Sequence, residues 1–273
     1  MRKPRHTALF AAGLVLAAAA AGAATDTFEK AYSLQGVDRV RVENVNGRVD
    51  LTAWDRDYVR VTAVKTGTPA ALENTVIRVT QPGSEIKIET FALRHQHLFS
   101  FLFGHNRLAK VEYRILLPAA TPVRVETVNG SVHVEGRTAE TRAETVNGSV
   151  ELRGIRGVLH AETVNGRISL ERKDSEDTYL ETVNGSIEAE LPGTASFRYR
   201  LSSVNGSMEV GERRSHAHAF GVKSFEGDVN GGKSLVKAGT VNGSIRIVLA
   251  EPAGAPAPAD SGPSHDSGDD SND

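Results

Sequence analysis

The heptapeptide at 126–132, ETVNGSV, recurs almost unchanged at 144–150, 162–168 and 181–187. Its central tripeptide, Val-Asn-Gly, occurs eight times in the 273-residue chain. From Asn129 onward, the asparagines of successive copies are 18, 18, 19 and 21 residues apart. A fixed period near 20 residues is typical of solenoids, in which each repeat is one supersecondary unit. The spacing therefore predicts a repeat fold.

Apolar and polar residues alternate on both sides of each Asn-Gly pair. In one copy, Ala143 and Thr145 fall on one face and Arg142 and Glu144 on the other, and the alternation resumes at Val150. A period of two indicates a β-strand with one buried face. We predict an all-β, β-helix-like solenoid in which each rung consists of two short strands joined at an Asn-Gly corner. Rungs stacked about 4.8 Å apart would share one continuous core.

The Asn-Gly pairs are predicted to be structural corners. Asn tolerates left-handed backbone conformations and Gly adopts them freely, and stacked Asn amides can bond to one another. A polar ligand-binding ridge is the functional alternative, but turn geometry accounts for the pattern without it. The predicted corner residues are Asn46, Asn129, Gly130, Asn147, Gly148, Asn165, Gly166, Asn184, Gly185, Asn205, Gly206, Asn242 and Gly243.

One copy does not fit the register of the others. The hexapeptide SFEGDV at 224–229 matches the template TVNGSV better than the Val-Asn-Gly at 229–231 does. We therefore expect 224–229 to form a rung of its own between the rungs of Asn205 and Asn242.

Composition divides the chain into four parts. Residues 1–23 have the basic start, the apolar run and the small residues of a cleaved signal peptide. Residues 26–118 are predicted to form an irregular N-terminal β region of the same fold, and residues 119–250 the regular repeats. Residues 251–273 are rich in Pro, Gly, Ser and Asp, which predicts a disordered acidic tail.

The predicted signal peptide implies an exported protein of the periplasm, the extracellular space or the cell envelope. Its apolar run is shorter than the roughly 20 residues of a membrane span, and we expect no transmembrane segment in the mature chain. The chain has no cysteine, which excludes disulfides and thiolate metal sites. The formal net charge is −2, and because the tail is acidic the repeat region is near neutral, so nucleic acid is not an expected partner.

No cofactor, metal or catalytic site is predicted. The outward column of Glu126, Glu144, Glu162 and Glu181 could attract a divalent cation, but arginines two residues earlier in several copies favour a solvated charged face. The alternative function is a carbohydrate-active β-helix enzyme, either a polysaccharide lyase or a glycosidase. Such enzymes need convergent carboxylates, and few aspartates lie in the repeats. Two His-x-His pairs, at 95–97 and 216–218, are interpreted as surface histidines rather than a Zn²⁺ or Cu²⁺ site.

One aromatic segment interrupts the pattern between 91 and 110. It contains four of the nine phenylalanines, namely Phe91, Phe99, Phe101 and Phe103. One interpretation is a cap over an end or side of the solenoid, since solenoids need such caps. The other is a patch that contacts an unknown envelope component or protein, or a second copy of the chain.

The sequence resembles the putative adhesin family of bacteria, domains of unknown function with a β-solenoid-like fold. The resemblance spans roughly 37–249 and rests on RVRVENVNGRVDLTAWDRDYVRV at 39–61, on YRILLP at 113–118 and on the serial ETVNGSV units. It implies a β-solenoid associated with the cell envelope. It supplies no catalytic residues to carry over. The expected function is therefore a non-catalytic binding, adhesion or structural role in the envelope.

Overall fold

The computed structural model describes residues 24–93, 108–216 and 223–250. The predicted signal peptide and tail, Phe99, Phe101, Phe103 and the His95–His97 pair lie outside these ranges. The N-terminal elements are β1 (Ala24–Ser33), β2 (Arg39–Glu43), β3 (Val49–Trp54), β4 (Tyr58–Gly67), α1 (Pro69–Asn74), β5 (Thr75–Thr80), β6 (Glu85–Ala92) and β7 (Lys110–Pro118).

The repeats contribute the remaining strands, and the described residues from 119 onward contain no helix. The strands up to Pro192 are β8 (Val123–Asn129), β9 (Val132–Glu135), β10 (Thr141–Asn147), β11 (Val150–Ile155), β12 (Leu159–Asn165), β13 (Ile168–Arg172), β14 (Thr178–Asn184) and β15 (Ile187–Pro192). The later strands are β16 (Phe197–Asn205), β17 (Ser207–Val210), β18 (Arg213–His216), β19 (Lys223–Val229), β20 (Ser234–Asn242) and β21 (Ile245–Ala250).

The strands form two sheets, which confirms the predicted all-β solenoid. Strands that precede an Asn-Gly corner lie in the upstream sheet, whose order is β19-β16-β20-β14-β12-β10-β8-β2-β6-β5. Strands that follow a corner lie in the downstream sheet, whose order is β1-β4-β7-β3-β9-β11-β13-β15-β21-β17-β18. Each rung contributes one strand to each sheet.

Within the stack, the rungs pair in parallel and in register. Thr145 is the Cα partner of Thr163, and Asn147 that of Asn165, so identical residues form columns. The inward column that contains Ala161 and Leu180 is fully buried. Burying a leucine side chain contributes about 1.5–3 kcal/mol. Because every rung repeats the same inward pattern, the core is continuous along the stack.

The rungs are not stacked in chain order at the C-terminal end. The rung of Asn242 (β20–β21) lies directly on that of Asn184, and the rung of Asn205 (β16–β17) lies outside it. The last repeat in the sequence is therefore stacked between the rungs of Asn184 and Asn205.

The prediction that 224–229 forms a rung of its own is wrong. Strand β19 runs antiparallel to β16, with Gly227 opposite Tyr199. The template would have turned Ser224 inward, but Ser224 is exposed and Phe225 packs on Tyr199 with ring centroids 5.1 Å apart. The larger apolar side chain decides which face is buried, and Gly227 leaves room for the Tyr199 ring, whose hydroxyl would lie 2.4 Å from a Cβ at that position.

Antiparallel strands cover both ends of the stack. At the N-terminal end, β6 and β7 form the outermost parallel rung, and β4 and β5 pair antiparallel with them. Strand β1 then pairs with β4, and helix α1 connects β4 to β5. At the C-terminal end, β18 and β19 pair antiparallel with β17 and β16. These elements protect the open core as capping units do in other solenoids. No helix among the described residues is long and apolar enough to cross a bilayer.

Candidate functional site

The Asn-Gly corners are stacked into a ladder of side-chain amides. From Asn129 onward, each corner Asn Nδ2 donates to the Oδ1 of a neighbouring rung, as from Asn147 to Asn129 and from Asn165 to Asn147, both at 2.9 Å. The remaining bonds of the ladder are Asn129 to Asn46, Asn184 to Asn165, Asn242 to Asn184 and Asn205 to Asn242, at 2.8–3.0 Å. The stacked amides therefore satisfy one another along the whole edge.

The glycines of the corners are required by space rather than by backbone angle. A Cβ on Gly166 would lie 1.9 Å from the carbonyl oxygen of Gly148, and one on Gly148 would lie 2.1 Å from that of Gly130. Among the corner glycines, only Gly47 and Gly243 have positive φ, and no corner asparagine does. The prediction that a left-handed backbone explains the Asn-Gly corners is thus wrong for most of them. This conformation occurs instead at Asn230 (φ 49°), in the Val-Asn-Gly copy outside the ladder.

The inward Thr and Ser residues before the corners satisfy the carbonyls of the corner glycines. Thr163 Oγ1 donates to Gly148 O at 2.9 Å, and the same bond recurs for Thr145, Thr182, Thr240 and Ser203. In the rung of Asn46, the buried Asn44 replaces this Thr and donates to both Gly47 O and Val111 O at 3.0 Å. Thr127, next to it, is left with a buried hydroxyl that has no partner.

The valines of the corners point outward and form a continuous apolar strip. Val146, Val164, Val183 and Val241 are each 39–40% exposed, although valine is usually buried. We call this column the Val ridge; in stacking order it consists of Val45, Val128, Val146, Val164, Val183, Val241 and Val204. Sequence reasoning missed it, yet the signal was present, since each of these valines directly follows an inward Thr, Ser or Asn and so has outward parity.

The Val ridge forms one wall of a shallow groove along the upstream sheet, with a volume of about 860 Å³. The outward Glu column lines the same groove. Its carboxylates are engaged by basic residues, as in Arg41 to Glu126 at 3.0 Å and Lys237 to Glu181 at 3.2 Å. A hydrogen bond to Glu144 raises the pKa of Arg142. This column therefore behaves as the charge-paired face expected from the sequence.

The segment that contains the predicted phenylalanine patch begins and ends at the corner position of the outermost rung. Strand β6 pairs with β2 up to Glu89 opposite Glu43, and continuing this register aligns Phe91 with Val45 and Ala92 with Asn46. On the other side, Val111 N donates to Asn46 O at 2.8 Å. Ala92 and Val111 thus occupy the Asn and Gly positions of the outermost rung, and residues 93–110 separate them in the sequence. Phe91 itself is half-buried and stacks on the Arg78 guanidinium, 4.2 Å from its ring centroid.

Two arginines at the opposite edge of the rungs were also missed. Arg172 is fully buried and binds Asp174, Thr178 Oγ1 at 2.8 Å and Gly157 O at 2.6 Å. Arg137 is fully buried as well and donates to the carbonyls of Pro118 and Thr121. Burial lowers the pKa of Arg137 to about 10, so it still carries its charge at neutral pH. Both hold turns in place and neither lies in the groove.

The described residues bring together no cluster of three or more His, Asp or Glu side chains that could hold a metal ion. The outward carboxylates have basic partners on the same face, such as Arg142 and Glu162 at 3.3 Å. This arrangement is a charge-paired surface.

Comparison with known proteins gives one family. The family model described as Toastrack DUF4097 matches residues 32–248. No curated protein sequence matches the chain. Among solved structures, a putative cell adhesion protein from Clostridium sporogenes ATCC 15579 aligns at 11% identity and a TM-score of 0.45, over 83% of this chain and 100% of that one. A putative adhesin from Bacteroides fragilis NCTC 9343 aligns at 11% identity and 0.38, over 81% and 97%. A putative lipid binding protein from Parabacteroides distasonis ATCC 8503 aligns at 9% identity and 0.29, over 81% and 96%.

Proposed function

We propose that this protein, which belongs to the Toastrack DUF4097 family, is an exported, non-catalytic protein of the cell envelope that binds a partner through the Val ridge. The observation that carries this proposal is the column of four consecutive stacked valines, each 39–40% exposed. The core does not need these side chains, because the inward columns already fill it. An apolar strip with a charged margin has the composition of a binding surface.

The geometry of the ridge suits an elongated partner. The same valine recurs at every rung, about 4.8 Å apart, so the surface offers a series of equivalent contacts along the stack. Each contact is weak by itself, and several formed together give avidity. Such a surface fits adhesion or attachment to an extended envelope component better than recognition of a compact small molecule, which is bound in concave and largely enclosed sites.

The export part of the proposal rests on the signal-peptide pattern of residues 1–23. The non-catalytic part is supported by the outward carboxylates, which form ion pairs with Arg and Lys along the groove. In a purely structural role, the repeats would serve as a spacer and the exposed valines would have no use. The following experiment would indicate this role if the wild-type protein did not bind envelopes.

The test compares matched substitutions on the two sides of the corner. Val146→Lys with Val183→Lys places two charges in the ridge, whereas Ser149→Lys with Ser186→Lys places the same charges at mirror positions across the Asn-Gly pair. The natively expressed protein should first fractionate with the envelope or periplasm and begin near residue 24. In sedimentation with washed cell envelopes, we expect at least a tenfold loss of binding for the valine pair and less than a twofold change for the serine pair.

Circular dichroism and melting temperature verify that both double variants are folded. Equal binding by the two variants would show that the ridge is not the contact surface. No binding of the wild-type protein to envelopes would contradict the binding role itself.

A further inference from the structure

All eight Val-Asn-Gly copies carry the same pair of reacting groups. In each copy, the backbone nitrogen of the glycine lies one residue beyond the asparagine side chain, and glycine has no side chain to hinder their approach. Attack of this nitrogen on the Asn Cγ closes a five-membered succinimide ring and releases the side-chain nitrogen as ammonia. Because Val precedes and Gly follows every one of the eight asparagines, the local sequence predicts similar reactivity for all of them.

The amide ladder holds both reacting groups of its Asn-Gly pairs. Gly148 N donates to Asn165 O at 3.1 Å, and the Asn147 amide is bonded to Asn129. A glycine nitrogen that donates in this way cannot turn towards the Asn Cγ without breaking the pairing of two rungs. The same backbone bond is made by Gly47, Gly130, Gly166, Gly185 and Gly243.

The pair at the end of the ladder, Asn205-Gly206, is held through its asparagine. Gly206 N has no hydrogen-bond partner among the described residues. Asn205 Nδ2, however, donates to Asn242 Oδ1 at 2.8 Å, and Asn205 O accepts from Gly243 N at 3.0 Å. The side chain and the carbonyl of Asn205 are therefore both fixed by the parallel pairing with the rung of Asn242.

The pair Asn230-Gly231 lies outside the ladder, in the turn between β19 and β20. In this turn, Gly232 N donates to Val229 O at 3.2 Å, whereas Gly231 N has no partner among the described residues. Both Asn230 and Gly231 are exposed. Gly231 and Gly232 have φ of 92° and 63°, and no side chain restricts their rotation. Gly231 N can therefore turn towards the Asn230 side chain without unpairing a rung.

We propose that Asn230 is a site of spontaneous deamidation in the folded protein, and that the ladder protects the other seven Asn-Gly pairs from this reaction. Gly231 N loses its proton to solvent and bonds to Asn230 Cγ. The Cγ–Nδ2 bond breaks, and Nδ2 takes up a proton from water and leaves as ammonia. Water then opens the ring at Cγ to give aspartate, or at the backbone carbonyl to give isoaspartate. In sum, one water is consumed and one ammonia is released, with no oxidation or reduction.

The product changes the contacts of the turn. Asn230 Nδ2 donates to Gly193 O at 3.2 Å and to Ala195 O at 3.0 Å, which ties the turn to the loop between β15 and β16. A carboxylate has no hydrogen to donate, so aspartate removes both bonds and places a negative charge beside two carbonyl oxygens. Deamidation therefore loosens this turn at the C-terminal end of the stack.

Peptide mass spectrometry of the aged mature chain tests the site. The folded protein is incubated in mildly alkaline buffer, in which the glycine nitrogen loses its proton more readily. The aspartate and isoaspartate in each Val-Asn-Gly peptide are then measured over time. We expect Asn230 to convert at least tenfold faster than each of the other seven asparagines. In the control, the same protein is unfolded in denaturant, and all eight should convert at similar rates.

Three results would overturn the proposal. A ladder residue such as Asn165 or Asn205 that converts as fast as Asn230 in the folded protein would contradict the protection. Absence of conversion at Asn230 would contradict the site. A preference for Asn230 that persists in denaturant would show that the sequence, rather than the fold, sets the rates.

A matched pair of variants tests the effect of the product on the turn. Asn230→Asp introduces the charge directly, and Gln35→Glu makes the same change of amide to carboxylate at an exposed residue near the N-terminal end. Hydrogen exchange reports local opening. We expect the backbone amides of β19 and of residues 193–196 to exchange at least threefold faster in Asn230→Asp than in wild type, and at the wild-type rate in Gln35→Glu. Equal exchange in the two variants would contradict the loosening of the turn.

Discussion

The two edges of the rungs are built in opposite ways. At the corner edge, every rung of the ladder uses an Asn-Gly pair, and the close contacts are the same from rung to rung. At the return edge, where the chain passes from one rung to the next, the turns differ in sequence, although Gly136 and Gly154 both have positive φ. Arg172 and Ile155 are Cα partners there, so a buried arginine in one rung takes the position of a buried isoleucine in the next. Identical residues are therefore needed only where neighbouring rungs bond through identical groups.

This difference separates two kinds of stabilisation. The corner edge depends on contacts between equivalent residues, so one substitution affects the two rungs on either side. The return edge depends on local contacts such as those of Arg172 with Asp174 and Gly157, which belong to one turn and its neighbour. The following substitutions compare the two edges.

The largest effect is expected at a corner glycine. Gly166→Ala would place a Cβ 1.9 Å from the carbonyl oxygen of Gly148, a backbone atom that cannot move without shifting the rung. We expect a loss of about 3 kcal/mol or more in the free energy of unfolding, at the upper end of the usual range for overpacking. Urea denaturation measures it.

The control for that substitution is Gly36→Ala. Gly36 has φ of 69°, and a Cβ added there would meet no described atom within 4 Å, so only the backbone preference is lost, at about 1–2 kcal/mol. If the two variants lose the same stability, close stacking is not the reason for glycine at the corners.

At the return edge, Arg172→Met should cost about 3 kcal/mol, because it leaves Asp174 without its guanidinium and Gly157 O without its donor. Arg137→Met should cost less, about 1–2 kcal/mol. It also removes two bonds to carbonyls, but it relieves a buried charge that has no carboxylate partner among the described residues. Thermal and urea unfolding at pH 7 measure both variants. A larger loss for Arg137 would mean that the carbonyl bonds, rather than the ion pair, hold these turns.

The smallest effect concerns one hydroxyl in the inward column of the corner edge. Thr163→Val removes the bond to Gly148 O and should cost about 1 kcal/mol. Thr127→Val, the same change in the same column, should be neutral or stabilising, because the buried Thr127 hydroxyl has no partner. Similar losses at both positions would show that the loss of the hydroxyl bond does not determine the effect.

The sequence alone determined the repeat, the two strands per rung and the inward and outward faces. These features follow from a period near 20 residues and an alternation of two, both of which are local properties of the chain. The outward parity of the Val ridge was equally readable. The inward Thr column could also be placed, although its bond to the corner carbonyl could not, since that bond joins adjacent rungs.

Only the tertiary structure decided the order of the rungs at the C-terminal end and the direction of β19. Both depend on which surface remains open once the other rungs are stacked, and Phe225 packing on Tyr199 settles the face that β19 buries. The reason for the corner glycines was likewise hidden, because an Asn-Gly pair in a left-handed turn and one in a tight stack have the same sequence. The distance between adjacent backbones distinguishes them, and that distance is set by the parallel, in-register pairing of the rungs.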